Sequence, residues 1–238
     1  SNSISVFGGS IGGTSQSLVQ WVTLPSMSVS SANMLPVPMS GHAAFLYDGY
    51  IYLLAGYSNT YSSDVWRYDS SDSSYTQVAT IPYPVAYAGF AWNGEKAYLV
   101  GGRNSTDSYI SSIIEFDPAT LQSRVFKDLL PTGIYRPGAL CTGEDGYVHI
   151  FGGEVETEPY ILNNIFIFDP RHGRIDVGPA WMSMGAYGLT GIQGTQYVAG
   201  GFFADDGCGM LLAYRNRPRY LDGYTVSREV DKEIIISS

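Results

Sequence analysis

Tyr98-Leu99-Val100-Gly101-Gly102 decides how this chain is read. Strand-forming residues run into two glycines, which accept backbone conformations closed to other residues. The same grammar returns at Ser5–Gly9, Tyr52–Gly56, His149–Gly153 and Tyr197–Gly201. The first member of each pair falls at Gly8, Ala55, Gly101, Gly152 and Gly200, at intervals of 47, 46, 51 and 48 residues. Passing from Gly200 through the last residue, Ser238, and back to Gly8 gives 46. Five equal units in a closed ring, the last shared between both ends of the chain, explain that value.

Each unit repeats a set of signals. A small-residue strand opens it, as in Ala43-Ala44-Phe45, Ala88-Gly89-Phe90, Gly138-Ala139-Leu140 and Gly188-Leu189-Thr190. Turn pairs follow at Asp48-Gly49, Asn93-Gly94, Asp145-Gly146 and Gln193-Gly194. Asp-Gly and Asn-Gly are strong hairpin signals. The strand ending in Gly-Gly comes next, then a loop of varying length, then a third strand running into Asp: Asp64–Asp69, Ile113–Asp117 and Ile165–Asp169. Fourth strands are expected near 76–79, 124–127 and 174–177. Four short strands in about 48 residues is the period of a propeller blade. The head of the chain begins at the second strand of its blade. Counting 11 residues back from Gly8 around the ring reaches Ile235, as Ala44 precedes Ala55 by 11. The tail strand Glu233–Ser237 is therefore expected to complete the N-terminal blade.

The hydrophobic run into Gly-Gly, the downstream Asp64-Val65-Trp66-Arg67-Tyr68-Asp69 and the Phe-Asp-Pro of 116–118 and 168–170 together resemble the kelch repeat. The resemblance implies an all-β fold: a single five-bladed kelch-type β-propeller of four antiparallel strands per blade, its ring closed by the C-terminal strand. The blades fall at about 1–38 with 231–238, 39–85, 86–134, 135–184 and 185–230. The chain departs from the family in having Ala55-Gly56 for Gly-Gly and in mostly lacking the fourth-strand Trp.

Composition bounds the function. Net charge is −9 without any basic run, so a phosphate backbone or an anionic membrane surface is repelled. No apolar run approaches the roughly 18 residues of a membrane span. Cys141 and Cys208 either form one bridge or stay reduced. Low charge, abundant Ser and Tyr, and the Asn104-Ser105-Thr106 glycosylation sequon lean towards an extracellular or secreted protein, with the cytoplasm as the alternative. A start inside a blade reads as maturation or excision from a longer protein.

Chemistry-bearing constellations are sparse. A phosphate cradle needs a helix after the glycines, and here a loop and a strand follow. His149 takes a slot held by Tyr52, Tyr98 and Tyr197, and His172 lies in a turn. Neither a Cys/His metal spacing nor a supported Ser-His-Asp order occurs, so no metal, cofactor or catalytic set is expected. Kelch folds also occur in copper oxidases, whose two-His, two-Tyr site finds too few ligands here, and in sialic acid mutarotases, whose channel Arg with an acid could correspond to Arg136 or Arg103 with Glu154.

Two groups of binding residues are expected. Counting into the opening strands sets His42 beside Tyr87, Arg136 and Ala186 at one end of the channel. The loops after Gly-Gly share a face and carry Tyr57, Tyr61, Arg103, Tyr109, Glu154, Tyr160, Phe202 and Phe203. Tyrosine combines contact area with a hydroxyl and suits interfaces. The chain reads as a non-enzymatic binding or assembly module for a protein partner or for itself. A carbohydrate-binding or sugar-active site at the channel mouth is the alternative, and a structural subunit of a filament or coat is a third.

Overall fold

A computed structural model describes residues 3–106, 108–141 and 146–178 in full. Beyond these it describes the backbone of 179–180, 188–192, 195–199, 202–203, 206–207, 211–221 and 225–235. These residues form strands and turns without a helix. Five antiparallel sheets follow one another along the chain, each a meander of neighbouring strands. The second sheet is Ala43–Tyr47, Tyr50–Leu54, Asp64–Asp69 and Ser74–Thr80, from inner to outer strand. The third is Gly89–Trp92, Ala97–Val100, Ile113–Asp117 and Gln122–Phe126, and the fourth is Gly138–Cys141, Val148–Phe151, Asn164–Asp169 and Arg174–Ala180. The architecture is the all-β propeller that the repeat implies.

Local chemistry explains the strand ends. Asp48 and Gly49 both take positive φ (49° and 79°), as a tight hairpin turn demands. The Asp that ends each third strand caps the turn after it. Asp69, Asp117 and Asp169 accept hydrogen bonds from the backbone N–H of Ser71, Ala119 and Arg171 at 2.8, 2.9 and 3.0 Å. Small residues on the inner strands are a packing requirement: a Cβ on Gly89 would stand 2.8 Å from the Pro137 carbonyl oxygen. Larger groups enter where there is room, and Phe45 stacks on Trp92 with centroids 4.4 Å apart.

The Gly-Gly pair joins one blade to the next. Gly9 N–H donates to Met39 O at 2.9 Å, Gly56 N–H to Val85 O at 2.9 Å and Gly102 N–H to Ile134 O at 2.8 Å. Each acceptor belongs to the segment entering the following blade. That carbonyl must come close to the first glycine of the pair. A Cβ on Gly101 would lie 2.3 Å from Ile134 O, and one on Gly8 2.2 Å from Met39 O. Gly101 also sits at φ 63°. Ala55 holds the same φ with a methyl group, buried to 3% exposure.

The head sheet corrects one expectation. Its strands are Ser3–Phe7, Val19–Thr23 and Ser28–Ser31, equivalent to the second to fourth strands of the other blades. The tail does not supply the missing inner strand. Thr225–Ile235 pairs instead with Leu211–Leu221 along its whole length, as the outer strand of the fifth sheet beside Gly188–Ile192 and Thr195–Ala199. Local pairing wins because a hairpin closes a short loop, whereas the expected pairing joins the two ends of the chain. The register also sets Arg215 opposite Asp231 and Arg217 opposite Glu229.

Gly101→Ala is expected to destabilise the fold by about 3 kcal/mol, from left-handed strain plus displacement of the Ile134 carbonyl. Ala55→Gly is expected to be neutral or to stabilise by up to about 1 kcal/mol. Urea unfolding of the two variants checks both, and equal costs would mean that the close approach is not what selects glycine.

Candidate ligand-binding face

The loops that carry the expected site residues are closed at their bases by the same glycines. Gln16, Ser62, Ile110 and Leu162 donate their N–H groups to the carbonyls of Gly9, Gly56, Gly102 and Gly153 at 2.8 to 2.9 Å. The first three loop-closing residues also accept from the next blade, through Met39 N, Val85 N and Ile134 N. Each joint is thus a triangle of three backbone hydrogen bonds. It fixes where a loop leaves the sheet and where the next blade begins. Isolated bridges Ser40↔Tyr57, Ala86↔Arg103 and Tyr135↔Glu154 then hold the first residue of each loop against the rim.

The rim itself is a relay between blades. Tyr87 N–H donates to Gly41 O at 2.8 Å, and Arg136 N–H donates to Tyr87 O at 3.1 Å. Gly41, Tyr87 and Arg136 share a left-handed backbone, with φ of 60°, 56° and 51°. The Tyr87 ring lies against Gly41, where a Cβ would meet it at 2.5 Å. The rim position in the second blade is therefore Gly41. The expected equivalence of His42 with Tyr87 and Arg136 is out by one residue, and Ala186 lies outside the described residues. His42 is half-buried, its Nδ1 makes no hydrogen bond with a described group, and desolvation lowers its pKa to about 4.

Tyr135 is the centre of the face. Tyr109 stacks on it at 5.1 Å, and Tyr87 meets it edge-on at 5.6 Å. The Arg136 guanidinium lies 4.5 Å from its ring centroid and the Arg103 guanidinium 5.8 Å. Burial raises the Tyr135 pKa above the ordinary tyrosine value against the pull of Arg136. Arg136 also faces Tyr87 at 5.2 Å and pairs with Glu154, Nη1 to Oε1 3.5 Å. These contacts gather Tyr87, Arg103, Tyr109, Arg136 and Glu154 into one assembly. Sequence counting did not single out Tyr135. Its signal was an aromatic residue where the sister units place Ser40 and Ala86.

A cleft of about 510 Å³ opens beside this assembly. Tyr57, Asn59, Thr60 and Tyr61 form one wall, from the loop of the second blade. Arg103 and Ser105 come from the loop of the third, and Tyr87 and Tyr135 from the rim. Tyr57 and Tyr61 meet edge to face at 5.2 Å, so this wall is braced. Ser40 ties the wall to the rim, its hydroxyl lying 2.9 Å from Ser15 Oγ and 3.0 Å from the Tyr87 hydroxyl oxygen. The chemistry on offer is aromatic faces, hydroxyls and guanidinium groups, suited to stacking and to hydrogen-bond acceptors.

Other expected residues lie apart from the cleft or beyond description. Tyr160 is 57% exposed and is not among the lining residues. Phe202 and Phe203 pair with Gly207 and Asp206 in a short ribbon whose side chains lie outside the described residues. Cys141 ends an inner strand and is half-buried, while Cys208 lies outside the described residues, and the bridge between them with it. Asn104 Oδ1 accepts from Thr106 N at 3.0 Å and from Thr106 Oγ1 at 2.6 Å, so the sequon forms a compact turn next to Ser105. His149 is fully buried in its strand, and His172 Nδ1 lies 2.7 Å from Asp169 Oδ2.

Comparison with known proteins gives a consistent picture. A family model described as the KLHDC2/KLHL20/DRC7 kelch-repeats domain matches residues 1–201. Beta-scruin of Limulus polyphemus is 23% identical over 150 residues, covering 58% of this chain and 16% of its own. The kelch domain-containing protein PF0436 of Pyrococcus furiosus is 31% identical over 71 residues, covering 29% of this chain and 22% of its own. The chain thus spans less than a quarter of the length of these curated relatives. The solved structure of YjhT superposes with a TM-score of 0.78 over 95% of this chain and 81% of its own, at 15% identity, a likeness of fold alone.

The His42 environment gives a pH dependence with a definite sign. Its pKa is near 6.5 in the unfolded chain and about 4 in the fold, so the unfolded state binds the proton more readily. Stability is therefore full above pH 6.5 and falls as the pH drops towards 4. Asp69, Asp117 and Asp169, whose pKa values are lowered, lose their contribution in a separate window below the ordinary carboxylate value of about 3.9. Denaturant melts from pH 7 to 4 are expected to slope downward for the wild type and to flatten for His42→Asn. An unchanged slope in the variant would assign the effect elsewhere.

Proposed function

Because the chain belongs to the kelch-repeat propeller family, we propose that it is a non-enzymatic binding module that holds a protein partner on its loop face. One observation carries this reading: tyrosines and arginines from two blades converge on the cleft of about 510 Å³ and are fixed there by Tyr135. Tyr and Arg are the residue types most often found as binding hot spots beside Trp, and a prearranged set loses little entropy on binding. The rigid joints below the loops support the same conclusion. A partner segment seats its side chain between Tyr57, Tyr61 and Tyr135, and hydrogen-bond acceptors on that segment meet Arg103.

A second reading has its own support. The Arg136–Glu154 pair stands at the rim behind a tyrosine-lined cleft, an arrangement suited to a sugar-like ligand that stacks on an aromatic face and hydrogen-bonds to charged groups. Extracellular placement with a glycan on Asn104 belongs to the same set of proposals. Its support is the sequon turn at the cleft edge, and a mass shift on peptide-N-glycosidase treatment of the native protein tests it.

Selection of a random peptide library on the immobilised chain, run beside a glycan array, separates the two readings. Enriched peptides are expected to lose about tenfold or more in affinity on Tyr61→Ala and on Arg103→Ala. Peptides indifferent to both variants would contradict the protein-binding reading. So would a galactoside or sialoside signal that disappears in Arg136→Ala.

A further inference from the structure

The first sheet carries an apolar face that no described residue covers. Val6 stands two residues before Gly8, as Leu53, Leu99 and Ile150 stand before Ala55, Gly101 and Gly152. Those three are 0%, 3% and 0% exposed, whereas Val6 is 45% exposed. Each buried equivalent shares a hydrophobic cluster with the preceding sheet: Leu53 with Phe7 and Val19, Leu99 with Leu54 and Val65, Ile150 with Val100 and Ile113. Val6 thus occupies the position by which a blade packs on the blade before it. Ile4, two residues along the same strand, is 51% exposed. The register runs Ile4 opposite Val22 and Val22 opposite Val29, and Val29 is 60% exposed. An apolar row therefore crosses the whole sheet. The opposite face of this sheet is ordinary core, with Phe7 and Val19 buried against the second blade.

The three described blade interfaces say what fits such a face. In each, the receiving surface includes a second-strand and third-strand pair: Phe7 with Val19, Leu54 with Val65, Val100 with Ile113. The fifth sheet holds the same register position with Ala199 opposite Leu211. It is the last sheet of the chain, and no blade follows it.

We propose that the bare face of the first sheet packs on the fifth sheet of a second copy, joining copies head to tail by repeating the interface already present between blades. Such a contact is heterologous. It generates a ring where the rotation closes and a filament where it does not. Apolar faces of this kind on a soluble domain mark interaction sites, and the unfilled inner-strand edge of Ser3–Phe7 lies at the same junction. This surface is separate from the cleft, so a partner bound at the loops and a second copy bound at the blade face do not compete.

Sedimentation velocity of the whole 238-residue chain, from about 1 to about 200 µM, tests the proposal. The wild type is expected to grow into oligomers with concentration. Val6→Glu and Leu211→Glu are each expected to be monomeric. An equal mixture of the two is expected to form dimers and nothing larger, because each variant keeps one sound face. Val6→Glu is also expected to melt at the temperature of the wild-type monomer, since the side chain is exposed there. A wild type that stays monomeric throughout would overturn the proposal. So would undiminished assembly of Val6→Glu, or a Val6→Glu monomer that melts well below the wild-type monomer, which would mean that the face is covered within one copy.

Discussion

One backbone hydrogen bond, from the second glycine of each pair to the carbonyl entering the next blade, sets the geometry of this molecule. It recurs at Gly9, Gly56 and Gly102 with lengths of 2.8 to 2.9 Å. Each bond is worth only about 1 kcal/mol net, but an unpaired buried amide costs more than that. The constraint is therefore steric as much as energetic. The carbonyl reaches the amide only if the neighbouring position has almost no side chain, and 2.2 to 2.3 Å of clearance at Gly8 and Gly101 leaves no room for one. The repeat in the sequence is the trace of that requirement.

The same glycine peptide serves the functional face. Its N–H holds the next blade and its carbonyl closes the base of the variable loop, so loop residues can change while their exit points stay fixed. That division explains how loops of unequal length and composition converge on one cleft. It also explains why the face is preorganised without metal or disulfide among its described contacts: Tyr57, Arg103 and Glu154 are each the first residue after a closed joint, and each is bridged to the rim segment of its own blade.

Much of this was legible in the sequence because it depends on spacing. The Gly-Gly intervals gave the blade number and the order of strands, and Tyr57, Tyr61, Tyr87 and Arg103 were placed on the cleft from their positions after or before those pairs. Features without a spacing marker were harder to read. His42 and Gly41 are adjacent, and only the left-handed backbone and the Tyr87–Gly41 hydrogen bond distinguish the rim position. Tyr135 owes its role to four neighbours drawn from separate loops, which no single segment announces. The tail failed for a different reason. Its distance from Gly8 around the ring suited the missing strand, but the counting ignored a local competitor, the strand Leu211–Leu221 with Asp222-Gly223 just beyond it.

Native-state hydrogen exchange at the amides of Gly9, Gly56 and Gly102 tests the central claim most directly, because it reads the blade joints themselves. The account predicts that these three exchange with the slow core, at an opening free energy close to that of global unfolding, although each lies at the mouth of a surface loop. Exchange at the rate of the adjoining loop residues would contradict it, and would mean that the blades are held together by side-chain packing alone.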